Sequence, residues 1–265
     1  MSTTLRRFAI LAALALLVLL LTSTSHASST ASASRSGRPQ AGTPETQLLE
    51  AANRDRAAVG LPPLQWDMSL AAVAHQHAQR MAQTNTLSHQ FAGELPLQQR
   101  ATQAGARFSL IAENVAEGPS ASNLHQQWMN SPPHRANLLD PGLNAVGIAV
   151  VQNGAMFFAV EDFCAAVPAL NLDAQELQVA TQLSAHGLRM VSLTADARKT
   201  CDMDRGWSGQ KPLSVMRYET PDLNRLPDDV EQKLQSGKFH AAAVGACDAG
   251  SSAGFTRFRV AILLF

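Results

Sequence analysis

The chain has 265 residues, of which 46% are hydrophobic and 16% charged, with 21 basic and 21 acidic side chains. That content supports one large or two modest cores and excludes wholesale disorder. A formal charge of zero excludes a broad electrostatic attraction to nucleic acid or to an anionic membrane.

Arg6 and Arg7 precede an uncharged run from Phe8 to Leu21, and the small-residue stretch Ser25-His26-Ala27 follows. This is the pattern of a secretory signal peptide over residues 1–27, cleaved after Ala27. The run has 14 residues, short of the roughly 20 that a membrane-crossing helix needs, so no integral membrane segment is expected after cleavage. The expected location is secreted, periplasmic or extracellular. Residues 28–44 are rich in Ser, Ala, Thr and Gly and read as a flexible linker.

Residues 45–168 contain no Lys, whereas Lys199, Lys211, Lys233 and Lys238 all lie beyond them, which puts a boundary near Pro168. In the first unit, Thr43 as N-cap and Pro44 at the first helical position open a helix that Gly60 closes, with Leu48, Leu49, Ala52 and Val59 expected inside. A second helix starts at Asp67 or Ser69 and places Leu70, Val73, Ala74, His77, Ala78 and Met81 on one face, which makes His77 a core histidine. A third helix is expected over 96–104, a strand over 107–112 and a fourth helix over 122–130. Ser131 to Leu143 reads as turn. Ala145 to Val151 and Ala155 to Phe163 read as a hairpin through Asn153 and Gly154.

The second unit, 169–265, repeats the alternation. A helix is expected after Asp173 with Glu176 completing a capping box, then strands over 188–193 and 213–218, a helix after Pro227 and a last strand over 255–265. Ala243 to Cys247 with Phe255 onward echoes Ala145 to Ala149 with Phe157 onward, as a decayed duplication would. Of the three cysteines, Cys201 and Cys247 are expected to pair in an oxidising compartment and Cys164 to be buried. That bridge would tie the polar loop 200–207 to the penultimate strand and contribute ~2–4 kcal/mol.

Three polar clusters interrupt the packing residues of the first unit: Leu87-Ser88-His89, Ala112-Glu113-Asn114-Val115-Ala116, and Ser131-Pro132-Pro133-His134-Arg135-Ala136-Asn137. His89 and Glu113 are 24 residues apart and Glu113 and His134 are 21 apart, so only the fold can bring them together. Two imidazoles and a carboxylate suit zinc with an open water position, or a general acid/base pair. Each residue also has an ordinary use: a histidine can cap a helix, and a glutamate at a strand end can accept backbone N–H groups. His75 and His77 diverge on their helix and His125 is expected on an exposed face, so none receives a ligand role. Ser88 and Ser131 lack a nucleophile-elbow context.

The order of Ser88-His89, Glu113-Asn114-Val115-Ala116-Glu117-Gly118, Trp128, Ser131-Pro132-Pro133-His134-Arg135-Ala136-Asn137-Leu138-Leu139, Val146-Gly147-Ile148 and the strand from Phe157 to Phe163 resembles bacterial members of the CAP superfamily. That group includes cysteine-rich secretory, venom-allergen and pathogenesis-related proteins. The resemblance covers residues 45–168 and implies an α+β fold, a CAP-type α-β-α sandwich followed by a second smaller α/β unit of no recognised family.

In that family a cleft holds a His, Glu, Glu, His tetrad. The resemblance makes His89 the first His, Glu113 the first Glu and His134 the second His. The second Glu has no counterpart, since that helix reads Trp128-Met129-Asn130-Ser131. Val160-Glu161-Asp162-Phe163 stands where Thr-Gln and an aromatic are usual, which makes Glu161 a fourth cleft candidate.

His89 and His134 are the metal-ligand candidates, for a zinc ion not required for folding, and Glu113 is the catalytic candidate. The resemblance implies a non-enzymatic binding module with an extracellular protein or lipid partner. The rival is a metal-dependent hydrolase of peptides or cell-wall material, with Glu113 as base. A third reading gives the specific function to the second unit, through its loop with Asp202, Asp204 and Arg205.

Overall fold

A computed structural model of the chain describes residues 39–249 and 254–265. The expected leader, and the linker as far as residue 38, lie outside the described residues. The described residues belong to one compact unit that contains two four-stranded sheets.

The first half begins with α1 (Pro44–Ala58), capped by the Thr43 hydroxyl, which accepts from the Thr46 amide at 3.3 Å. Leu48, Leu49 and Ala52 are buried as expected, but Val59 is 55% exposed because it lies past the last helical residue. After β1 (Gln65–Trp66), α2 (Met68–Thr84) starts on an Asp67 cap that accepts from the Leu70 amide. It ends at Asn85, whose φ of 48° suits the short polar side chain. Then come α3 (Leu97–Gln103), β2 (Phe108–Gly118), α4 (Ala121–Asn130), α5 (Pro132–Leu138), β3 (Ala145–Asn153) and β4 (Met156–Ala166).

Two further expectations are corrected in this half. The strand expected to stop at Ala112 runs on to Gly118, which places Glu113 within it. The stretch read as turn contains α5, with prolines at its first two positions, where no intrahelical N–H is required of them.

The sheet order is β1-β3-β4-β2, with β1 parallel to β3 and the other pairs antiparallel. Strand alternation sends Ala116, Val146, Ile148, Ala159 and Phe163 to one face, against α1, α4 and α5. It sends Val115, Ala149, Phe158 and Val160 to the other, against α2. Arg56 is fully buried and donates to the Pro62, Leu138, Asp140 and Leu143 carbonyls, which fixes the end of α5.

The second half holds α6 (Leu172–Ala185), β5 (Arg189–Met190), α7 (Thr194–Asp202), β6 (Ser214–Thr220), α8 (Asp228–Leu234), β7 (Ala241–Cys247) and β8 (Phe258–Leu264). Asn171, not Asp173, caps α6. Glu176 therefore plays no part in a capping box. It accepts from Arg198 and from the Ala246 amide. Cys201 lies in the last turn of α7, a helix the sequence reading missed, and is joined to Cys247 on β7. Cys164 is free and buried.

This half repeats the topology of the first. Its order is β5-β7-β8-β6, with β5 parallel to β7 and the other pairs antiparallel. Here α6 and α8 pack on one face, and α7 packs on the other. In both halves the long central strand outruns its short parallel neighbour, and a helix glutamate accepts an amide left without a strand partner. Glu45 accepts from Val150 at 3.1 Å, and Glu176 accepts from Ala246 at 2.9 Å.

Candidate functional site

The three polar clusters meet around β2, an edge strand of the first sheet. His89 sits on the segment between α2 and α3, and that segment is fixed by the buried His77. The Nε2–H of His77 donates to the Ser88 carbonyl at 2.7 Å, and its Nδ1 lies 2.8 Å from Glu94 Oε1. Glu94 also accepts from the Phe91 amide and from Arg100. The core histidine expected from helical spacing is thus also the anchor that places its neighbour His89.

Glu113 projects toward the α2 face. One carboxylate oxygen meets His89 Nδ1 at 2.9 Å and the other accepts from Arg100 Nη2 at 2.9 Å. The Glu113 side chain is 5% exposed and that of His89 is 60% exposed, so the imidazole is the part that solvent reaches. The hydrogen bond that His89 donates to Glu113 raises the His89 pKa above its ordinary value.

His134 stands near the start of α5, with Nδ1 2.9 Å from the Ser131 hydroxyl. Its ring faces that of His89, with centroids 6.4 Å apart and planes inclined by 28°. Burial, and then the charge of His89, lower the His134 pKa. Asn114, the residue after Glu113, points to the opposite face. It donates to the His134 carbonyl at 3.2 Å and accepts from Asn137 at 2.9 Å, coupling α5 to β2.

Glu161 does not reach the cleft. It is fully buried on the face it shares with Asn114, whose amide donates to Glu161 Oε2 at 3.4 Å. Strand alternation decides this, because Glu161 pairs in register with Asn114 and Asp162 pairs with Glu113. Burial pushes Glu161 up to about 8. Asp162 is the residue beside Glu113, and burial followed by the charge of Glu113 holds it well above the usual carboxylate range. Sequence reasoning missed Asp162 and Arg100 as parts of the site, although the pairing of Asp162 with Glu113 was implicit in the alternation that left Glu161 open.

His125, expected to be exposed, is only 13% exposed and meets Asp55 of α1 at 2.7 Å. In the second half, the place of Glu113 on β2 is taken by Arg217 on β6, which donates to the Thr200 and Gly206 carbonyls. The segment after α7 is thus held against its own strand.

The donor chemistry of the first cleft fits a metal in part. Each histidine has Nδ1 held by an oxygen and Nε2 left for another partner, the usual arrangement of metal-ligating imidazoles. Glu113 is already committed through both oxygens. Among the described residues, no group of three His, Cys, Asp or Glu side chains is placed to hold an ion.

A profile of the cysteine-rich secretory protein family (CAP) matches residues 49–163. The uncharacterized protein YkwD of Bacillus subtilis is 30% identical over 114 residues, 43% of this chain and 44% of that protein. The uncharacterized membrane protein YlbC of the same organism is 33% identical over 112 residues, 41% of this chain and 32% of that protein. The match therefore spans less than half the length of either relative. Among solved structures, an extracellular protein containing an SCP domain from Bacillus anthracis is 30% identical, with a TM-score of 0.43 over 46% of this chain and 40% of that one. An outer surface protein from Borrelia burgdorferi is 21% identical, with a TM-score of 0.45 over 49% of this chain and 98% of that one. No helix among the described residues is long and apolar enough to cross a membrane. Over residues 49–163 this chain is therefore similar to the cysteine-rich secretory protein family (CAP).

Proposed function

We propose that the chain is an exported, non-enzymatic binding module whose cleft presents His89 and His134 to a divalent metal or a small polar ligand. The observation that carries this reading is the double commitment of Glu113, 5% exposed and holding His89 and Arg100 through its two oxygens. A general base must reach the proton it removes, and here the carboxylate orients an imidazole. The free edges of the two stacked rings are the groups left for a ligand. Export is supported by the pattern of residues 1–27 and by the disulfide in the second half.

With two protein nitrogens as its ligands, zinc would be held loosely and would offer its remaining positions to a donor atom of the ligand. Asn114, Asn137 and Ser131 hold His134 in place, while Glu113 and His77 do the same for His89.

Calorimetric titration of zinc into the purified chain tests the reading. Wild type binds one ion, His89→Ala and His134→Ala lose it, and Glu113→Gln weakens it by about 10–100-fold through loss of ring orientation. No saturable binding in wild type rejects the metal reading. Turnover of a peptide or muropeptide pool by wild type but not by Glu113→Gln would replace binding with hydrolysis.

A further inference from the structure

The connection between the last two strands departs from its counterpart in the first half. Only Gly154 and Ala155 join β3 to β4, whereas β7 ends at Cys247 and β8 begins at Phe258. The described part of the longer connection crosses to the first half. The Thr256 amide donates to the Phe108 carbonyl at 2.7 Å, the Gly254 carbonyl accepts from the Thr102 hydroxyl at 2.9 Å, and the Phe255 ring meets Phe108 edge-on at 5.6 Å.

Beside this crossing lies a cavity of about 730 Å³, bounded by the end of α3, the start of α6 and the crossing itself. It shares no lining residue with the His89 cleft. Two arginines line it, Arg107 from the entry to β2 and Arg257 from the entry to β8. Both are exposed, and neither has a hydrogen bond or ion pair through its guanidinium among the described residues. Gln175 of α6 also lines it and is 8% exposed. Its Nε2 donates to the Leu170 carbonyl at 2.9 Å, while its buried Oε1 receives no donor. Leu170, Leu172 and Phe255 supply apolar wall.

We propose that this cavity binds the carboxylate end of a short peptide with an apolar terminal side chain. Unpaired guanidiniums lining the cavity suit a carboxylate, which they engage through paired N–H donors. An orphan buried acceptor calls for a donor, and a peptide N–H supplies one. The apolar wall takes the side chain, and the volume lies within the roughly 300–1,000 Å³ of small-ligand sites. Inorganic phosphate would use the arginines but neither the amide acceptor nor the apolar wall. Asp248, engaged in a contact of its own, also lines the cavity and disfavours a doubly charged anion.

Calorimetry on the full chain tests this with acetyl-Leu-Leu as the free acid, the same peptide as its C-terminal amide, and inorganic phosphate. The free acid binds saturably, the amide binds at least about tenfold more weakly, and Arg107→Gln and Arg257→Gln each weaken the acid by about tenfold. Both arginines are exposed, so the thermal midpoint of each variant stays at the wild-type value, which separates lost binding from lost folding. Glu113→Gln leaves this affinity unchanged, which separates the cavity from the cleft. Equal binding of acid and amide, unchanged affinity in both arginine variants, phosphate binding as tight as the acid, or no saturable heat at millimolar peptide would each overturn the proposal.

Discussion

Arg100 donates to Glu113 at 2.9 Å in a setting where the two side chains are 11% and 5% exposed. Arg100 also meets Glu94, and Asp162 lies beside Glu113. One guanidinium therefore offsets a small crowd of carboxyl groups behind the cleft. Removing one partner of a buried pair leaves the other charge without compensation, which is more damaging than never having had the pair.

Arg100→Gln is accordingly expected to lose about 3 kcal/mol of stability at neutral pH in urea unfolding. The loss shrinks in acid, where the carboxyl groups take up protons. Adding Glu113→Gln to that variant restores part of the loss, because it removes the stranded charge. A single variant as stable as wild type would show that the network contributes nothing to the fold.

The pH dependence of stability is set in part by Glu161, which is fully buried with a pKa raised to about 8. The sign follows from the direction. A carboxyl group whose pKa is higher in the folded state favours folding below its unfolded value near 4.5 and loses that contribution as pH rises toward 8. Glu161→Gln should therefore be more stable than wild type at pH 8.5 by roughly 2–4 kcal/mol. The difference should be small at pH 4. Asp162 is shifted in the same direction, so the variant keeps some decline above pH 5. Chemical denaturation of both proteins across this range checks the expectation, and an unchanged difference from pH 4 to pH 8.5 would contradict it.

The parts of the site that were legible in the sequence were those written as local motifs. His89, Glu113 and His134 could be named because each sits in a short polar string among packing residues, and the structure brings all three to one edge strand. Arg100, Glu94 and Asp162 could not be named, since their meeting depends on how residues 85–96 fold back over α2 and on which face each strand residue takes. Helix α5 was hidden by its Ser-Pro-Pro start, which reads as turn although prolines are at home in a first helical turn. Helix α7 was hidden because Thr194, Thr200 and Asp202 favour caps and turns, and its helicity comes from packing against β7.

The faint sequence echo between the two halves corresponds to a repeated topology, and one glycine in each half shows why so little sequence is needed to maintain it. A methyl group on Gly147 of β3 would collide with the backbone of Leu70 and Ala71 in α2, and one on Gly245 of β7 would collide with the backbone of Ala197 and Arg198 in α7. Each glycine lets a helix lie directly on the central strand. Counting three residues along each helix and two along each strand from these contacts leads from Ala71 and Gly147 to Ala74 and Ala149 in the first half. The same steps lead from Arg198 and Gly245 to Cys201 and Cys247 in the second. Ala74 and Ala149 are buried in one cluster, and the cysteines form the disulfide. The same close helix–strand approach is filled by small side chains in one half and by a covalent bond in the other.

Gly147→Ala and Gly245→Ala should therefore each destabilise the protein, by about 3 kcal/mol in urea unfolding, since the obstructing atoms are helix backbone and cannot rotate away. Their consequences should differ. In the second half the disulfide keeps α7 tethered to β7 when the glycine contact is lost, and a covalent link of this kind limits how far the disrupted pair can separate. Gly245→Ala should then become markedly less stable still under reducing conditions, whereas Gly147→Ala should lose no more on reduction than wild type does. Unfolding of wild type and both variants with and without a thiol reductant measures this directly. Equal sensitivity of the two variants to reduction would mean that the disulfide does not support the helix–strand contact that Gly245 makes possible.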